Sequence, residues 1–460
     1  MIRLKRRNNI GAFEKGDKIQ KNIAFEQLTD EHAAYIKKLV RYAGEVDSER
    51  AVFGSSSHQY LLNPVISLGE VSAYEEKYNV DLPEEYKFFL TKVGNGGAGP
   101  YYGLYPLEKL PVYHEYIAES GKTAWIDETL TRDIWAEQMK ELKSSDDPAY
   151  DRIMQKIVGG LNVIGTQGCT FDHLLMNSGS EKGRIVYIDW NLLPENVPRL
   201  TGLTFLDWYE QFFREIINDH FLDSYGYIRL GTEEELYCAY QNAAAGEQRP
   251  IIESYYRFPK VNKNTIELLL DIDNKELDAI RAELLFRFDL NQGIRLFELL
   301  LNGANQEAAI ICARRLPKEY YDRYYEKMVY LLYHLDTPFR KIGHASCKQK
   351  LLYFLSNCIC LSAGDILGFA ADLNRNEEER RTAVYVMGKA KDKMRYLECF
   401  IHFMKGDSYW HAHAALQAVS KTECPELMEP YRWMWDRYKE DRVMRSNLIV
   451  AFRTNGVMKE

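Results

Sequence analysis

Between Ile66 and Leu107 the chain reads ISLGEVSAYEEKYNVDLPEEYKFFLTKVGNGGAGPYYGLYPL: two short amphipathic helices, a glycine-rich turn and the start of a sheet. Ser67 followed by Glu70 is a capping box, in which hydroxyl and carboxylate satisfy each other's orphan backbone donors. Val71, Tyr74 and Tyr78 then recur at helical spacing and give one apolar face. Asp81-Leu82-Pro83-Glu84-Glu85 restarts a helix, because proline is tolerated in a first turn and acids favour its positive end. Tyr86, Phe89, Leu90 and Val93 mark the buried stripe, and Gly94-Asn95-Gly96-Gly97 ends it with residues that adopt positive φ cheaply. No side chain here is equipped for chemistry. The segment reads as part of a module whose product is a surface.

A second block lies downstream. Gly165-Thr166-Gln167-Gly168-Cys169 leads into a strand, Asp172–Met176, and the polar turn Ser178–Gly183 joins it to a second strand, Arg184–Trp190. A closing helix follows at Thr204–Ile217, capped by Thr204 and Asp207, with Phe205, Trp208, Phe212 and Ile216 as its buried stripe. The order of these pieces resembles the SUKH superfamily, which includes the yeast Smi/Knr cell-wall-assembly regulators and many bacterial immunity proteins. The helix at Glu70–Tyr78, the Leu82-Pro83-Glu84-Glu85-Tyr86 block, Phe88-Phe89-Leu90 and Asn95-Gly96-Gly97 carry the resemblance, which covers roughly Val65 to Ile217. It implies an α+β domain, an antiparallel sheet with flanking helices, acting by direct protein contact. One departure is an expanded insert at about 111–158, with a helical stretch Leu130–Leu142 and a polar loop Ser144–Pro148. Such an insert decorates a sheet edge or covers the face that smaller relatives use for binding.

After about residue 228 the sheet signals vanish. Glu233–Ala245 reads as helix, Gly246–Asn264 as a linker with Pro250 and Pro259, and nearly everything beyond is helix-periodic. Arg381, His413 and Arg445 recur 32 residues apart, and Ala383/Ala415/Asn447, Val384/Leu416/Leu448 and Met387/Val419/Ala451 keep the same register. One step back stand Leu351, Leu352 and Leu355, again apolar. Two helices per 32 residues means stacked helical hairpins, an all-α HEAT-like solenoid. The expected organisation is 1–64 basic tail and helix, 65–228 SUKH-like domain, 229–262 helix and linker, and 263–460 helical repeat. Ahead of the domain, Thr29–Tyr42 reads as a helix and Gly54–Ser57 as a loop.

The net charge of −8 argues against a nucleic-acid or anionic-membrane surface and suits a basic partner. The 32 tyrosines suit an interface, though helical cores absorb many of them. Arg3, Lys5, Arg6 and Arg7 are followed by no apolar run, and the eight cysteines are scattered within apolar patterns, so a cytoplasmic protein with reduced thiols is expected.

Candidate chemistry is thin. Cys169, Asp172 and His173 suggest a thiol nucleophile with a base, but the two neighbours alternate across one strand and no oxyanion loop is evident. His344, Cys347, Cys358 and Cys360 are a conceivable metal cluster, yet neighbours at i and i+2 on a helix point apart. His402, His411 and His413 lack the metalloprotease acid, and Gly94–Gly99 lacks a phosphate-loop lysine. No catalytic residue, metal or cofactor is expected. What the resemblance implies is an immunity protein that binds and neutralises a polymorphic toxin, conceivably a nuclease; the alternative is a scaffold or regulatory adaptor of the cell-wall-regulator type. Candidates for the contact face join aromatic anchors to carboxylates: Tyr101, Tyr102, Tyr105, Trp125, Asp127, Asp172, Asp189 and Trp190. Trp190 and Tyr105 read equally well as core.

Overall fold

The computed structural model describes residues 28–110, 123–222, 225–303, 305–342 and 345–457. The N-terminal basic residues and His344 lie outside these. The chain forms two compact units: one runs to Ala243 and takes in Glu253–Val261, the other comprises Ala244–Ile252 and Asn262 onward.

In the first unit, helix α1 (Asp30–Val46) begins where Thr29 accepts the amide of His32, and α2 (Leu68–Tyr78) begins at the Ser67/Glu70 capping box. Helix α3 (Glu84–Phe88) continues as a π-helical turn, Phe89–Val93. The insert supplies not one helix but two, α4 (Arg132–Ser144) and α5 (Asp147–Val158). The polar stretch expected as a loop shrinks to Ser145-Asp146, because Asp146 caps α5 and Pro148 sits in its first turn. Strands β1 (Leu161–Gly168), β2 (Phe171–Met176), β3 (Arg184–Asp189) and β4 (Arg199–Thr204) form one antiparallel sheet in sequence order. The start of a sheet expected after the glycine turn is instead a ladder of single bridges, Leu62 to Gly97 to Leu104 to Gly165, extending the β1 edge. Helix α6 (Phe205–Ile217) follows β4 directly, and α7 (Glu233–Asn242) lies beyond it.

Side chains alternate across a strand, and here both faces are buried. Ile164, Leu175, Ile185 and Tyr187 join a core with α1, α2, α3 and α6, whereas Val163, Leu174, Met176, Val186 and Ile188 join a second core with α4 and α5. The insert therefore covers a sheet face rather than decorating an edge. Residues 28–60, set apart from the domain by sequence, contribute Leu28, Ile36, Leu39, Val40 and Tyr60 to the first core.

The Leu82–Tyr86 block acts structurally. Leu82 and Tyr86 are buried, and the Glu85 carboxylate accepts the amide of Leu206 at 2.9 Å, capping α6 from a distant part of the chain. At the far end of α6, buried Glu215 accepts from Arg257 Nη1 at 2.6 Å and pairs with His220 at 2.7 Å.

The second unit starts with α8 (Ala245–Glu253), where a linker was expected. Pro250 lies inside this helix, and burial of Ile251 and Ile252 offsets its cost. Then come α9 (Lys263–Asp271), α10 (Asp278–Phe288), α11 (Leu290–Asn302), α12 (Gln306–Cys312), α13 (Tyr325–His334), α14 (Cys347–Leu355), α15 (Ala363–Ala371), α16 (Glu377–Met387), α17 (Leu397–Lys405), α18 (Tyr409–Val419), α19 (Met428–Tyr438) and α20 (Arg442–Thr454). From α9 to α20 each odd-numbered helix pairs with the next even one, and the even ones stack in succession from α10 to α20. This is the helical repeat expected from sequence. Its 32-residue register falls on α14, α16, α18 and α20, with Leu351, Leu352, Ala383, Val384, Ala415, Leu416 and Leu448 buried between layers. Buried Lys348 donates to the carbonyls of Leu331 at 2.9 Å and Leu332 at 2.7 Å, closing the end of α13, and burial lowers its ammonium to about 8.

Candidate protein-binding site

Aromatic side chains gather around the β1–β2 turn. Phe53 and Tyr102 stand edge to face at 5.3 Å and are 59% and 40% exposed. The loop bearing Phe53 is held from beneath by buried Asp47, which accepts from Ala51 N at 2.7 Å, Ser55 Oγ at 2.8 Å and Tyr60 OH at 2.7 Å. Tyr102 donates its amide to the Thr166 carbonyl at 3.4 Å, and its ring lies so close to Gly168 that a Cβ there would meet it at 2.9 Å. Across the turn Tyr227, 37% exposed, donates its hydroxyl to Gln167 Oε1 at 3.3 Å and packs on Tyr187 at 5.0 Å. Phe171, 38% exposed, opens β2. Tyr102 and Tyr227 are held by the β1–β2 turn and Phe53 packs on Tyr102, so little conformational entropy is lost when a partner covers these three rings.

The residues proposed from sequence divide unevenly over this patch. Tyr102 belongs to it. Tyr101 does not: with a φ of +57° its ring turns inward, and its hydroxyl donates to the Tyr225 carbonyl at 2.9 Å. Asp172 and Trp190 sit beside the turn, but each is the other's partner, the indole N–H donating to Asp172 Oδ2 at 2.8 Å. Asp189 is a buried loop organiser that accepts from Thr170 Oγ1 at 2.7 Å, Asn191 N at 3.0 Å and Asn196 Nδ2 at 2.6 Å. Burial pushes its carboxyl up, but these hydrogen bonds prevail and hold it below the ordinary value. Tyr105 is half-buried against both cores; burial, then Asp172, raises its phenol. Trp125 and Asp127 belong to the insert. Trp125 stacks on Trp135 at 6.0 Å under the Lys156 ammonium, and Asp127 holds a turn by accepting from Thr129 N at 2.8 Å.

Sequence reasoning missed Phe53, Phe171 and Tyr227. Phe53 had a signal, an aromatic residue directly ahead of the Gly54–Ser57 stretch, which was expected as a loop and forms a short helix, Ser55–His58; Tyr227 lay just past the segment that carries the resemblance.

The thiol-and-base arrangement does not form. Cys169 is exposed on the turn, whereas His173 is buried against Trp208 at 5.0 Å on the inner face of β2. Burial, opposed only weakly by the Gly103 carbonyl, lowers the His173 imidazole to about 3, and burial lowers that of His58 to about 4. Between pH 6.5 and those values the unfolded chain takes up protons that the native state refuses, so stability falls as pH falls. The expected slope is up to about 1.4 kcal/mol per pH unit for each group. Denaturant unfolding at pH 7, 6, 5 and 4 measures it, and His173→Gln is expected to flatten it.

Among the described residues no cluster of three or more His, Cys, Asp or Glu could hold a metal. Cys347 and Cys358 are buried thiols raised to about 12 by burial, and Cys360 donates to Asp322 at 3.3 Å. No described helix is long and apolar enough to cross a membrane.

Residues 66–211, under half of the chain, match the model of the SMI1 / KNR4 family (SUKH-1). No curated protein and no solved structure gives a match. Members of this family are in general non-enzymatic binding proteins, with immunity or regulatory roles.

Proposed function

We propose, from the premise that residues 66–211 are a SUKH-type protein-binding domain, that this chain is an immunity protein whose aromatic patch at the β1–β2 turn covers a cognate polymorphic toxin. The observation that carries the reading is the exposure of Phe53, Tyr102, Phe171 and Tyr227 around the β1–β2 turn, with Phe53 packed on Tyr102 and Tyr227 bonded to Gln167 of that turn. Large rings on a fixed frame are what binding hot spots are made of. The mechanism is steric: the patch seats on the toxin and occludes its active site, while the acidic balance of the chain, −8, steers a basic partner such as a nuclease. The insert buries one sheet face, which favours this end of the sheet over its broad faces as the contact surface.

Cells expressing the toxin encoded beside this gene are expected to survive when the chain is co-expressed. Combined Phe53→Ala and Tyr102→Ala is expected to remove most of that protection without loss of soluble protein. Absence of rescue by the wild-type chain overturns the reading.

A further inference from the structure

The repeat unit carries a surface of its own. Arg381 on α16 lays its guanidinium over the Trp410 ring of α18, 5.2 Å from the centroid, and Trp410 is 51% exposed. One turn along α18, His413 meets Trp410 at 6.2 Å, and its Nε2 accepts from Asn447 Nδ2 of α20 at 3.3 Å. Arg445, exposed on α20, holds the position that Arg381 holds on α16 and His413 on α18. The nearby carboxylates are engaged locally: Glu378 with Lys341 at 2.8 Å, Glu377 with Ser408 at 2.7 Å, and Asp441 with Tyr409 and the amide of Met444. Arg381 and Arg445 make no ion pair among the described residues. In an acidic chain, three stacked helices thus place two guanidiniums in one row, with the half-buried His413, whose imidazole burial holds below its ordinary value, as a neutral hydrogen-bonding group between them and an exposed indole beside it.

We infer that this row binds an extended acidic polypeptide segment with carboxylates at every third residue. Packed helices stand about 8–10 Å apart, and an extended segment in the polyproline-II form has three residues per turn and rises about 3.1 Å per residue, so carboxylates three residues apart share one face about 9 Å apart and meet successive repeats at Arg381, His413 and Arg445. Trp410 then covers an aliphatic side chain between two of them. A single-stranded nucleic acid fits less well, since bases stack on open aromatic faces. One face of Trp410 is taken by Arg381, and its flanks meet Tyr409 and His413 edge-on, at 88° and 75°.

The test is fluorescence anisotropy with the full chain and three labelled probes: a 15-residue peptide bearing Glu at every third position with Leu and Ser between, the same peptide with Lys for Glu, and a 15-nucleotide oligo-dT. The acidic peptide alone is expected to bind, and Arg381→Glu with Arg445→Glu is expected to weaken it at least tenfold. Trp410→Ala, which leaves the charges in place, is expected to weaken it severalfold. No binding of the acidic peptide at low salt, binding unchanged in both variants, or preference for oligo-dT would each overturn the inference, the last placing a nucleic acid on this row.

Discussion

Gly97→Ala is expected to destabilise the first unit by about 3 kcal/mol or more. Gly97 has a φ of +94°, and a Cβ there would lie 2.4 Å from the Leu61 carbonyl oxygen. Left-handed backbone costs an alanine roughly 1–2 kcal/mol, and the overlap is with main chain, which cannot swing aside. The displaced backbone is also the hinge of the bridge ladder: Gly97 donates to Leu104 at 2.9 Å and Leu104 donates back at 2.8 Å. Gly179 provides the control. Its φ is +84°, but nothing lies within 4 Å of the added Cβ, so Gly179→Ala is expected to show the conformational cost alone, about 1 kcal/mol. Thermal unfolding of the two variants separates strain from collision, and equal losses would contradict the assignment of Gly97 to the ladder.

Arg257→Ala is expected to cost about 3–5 kcal/mol, because it takes the guanidinium from the buried Glu215 carboxylate and leaves it with His220 and Gln211 alone among the described residues. Burial pushes Glu215 up, but His220 and Arg257 override it and hold the carboxyl below its ordinary value. Arg257 Nε and Nη2 are themselves buried without hydrogen-bond partners among the described residues, so the pair is costly as well as cohesive. Replacing both ends with apolar groups, Glu215→Leu and Arg257→Met, is therefore expected to recover most of the loss in chemical denaturation. A double variant as unstable as the single would show that the network, rather than the stranded charge, carries the stability.

What was legible in the sequence was local or periodic. Ser67, Thr204 and Thr29 cap their helices through contacts three residues away, and such contacts leave a short written pattern. The 32-residue register survives because each even-numbered helix must bury the same positions against its neighbours. The missed elements lacked such signals. β1 is buried on both faces at Leu161–Ile164 and so shows no alternation, while β4 is a short edge strand interrupted by Gly202. Asp146 and Pro148 read as loop, although the same residues start a helix when an apolar stripe follows. At the site, neighbouring tyrosines looked equivalent. Only the left-handed backbone at Tyr101 sends one ring inward and leaves Tyr102 outside, and no residue type announces that turn. Carboxylates were harder still, since Asp172 and Asp189 are satisfied by Trp190 and by Thr170, Asn191 and Asn196, partners fixed only in the folded chain.

The patch around Phe53 and Tyr102 is proposed here as the contact surface. Isothermal titration of the neighbouring toxin domain, inactivated for purification, into this chain tests it most directly. A one-to-one complex is expected, weakened at least about 30-fold by Phe53→Ala with Tyr102→Ala, the equivalent of about 2 kcal/mol, with an unchanged circular dichroism spectrum. A toxin bound equally well by the double variant would contradict it.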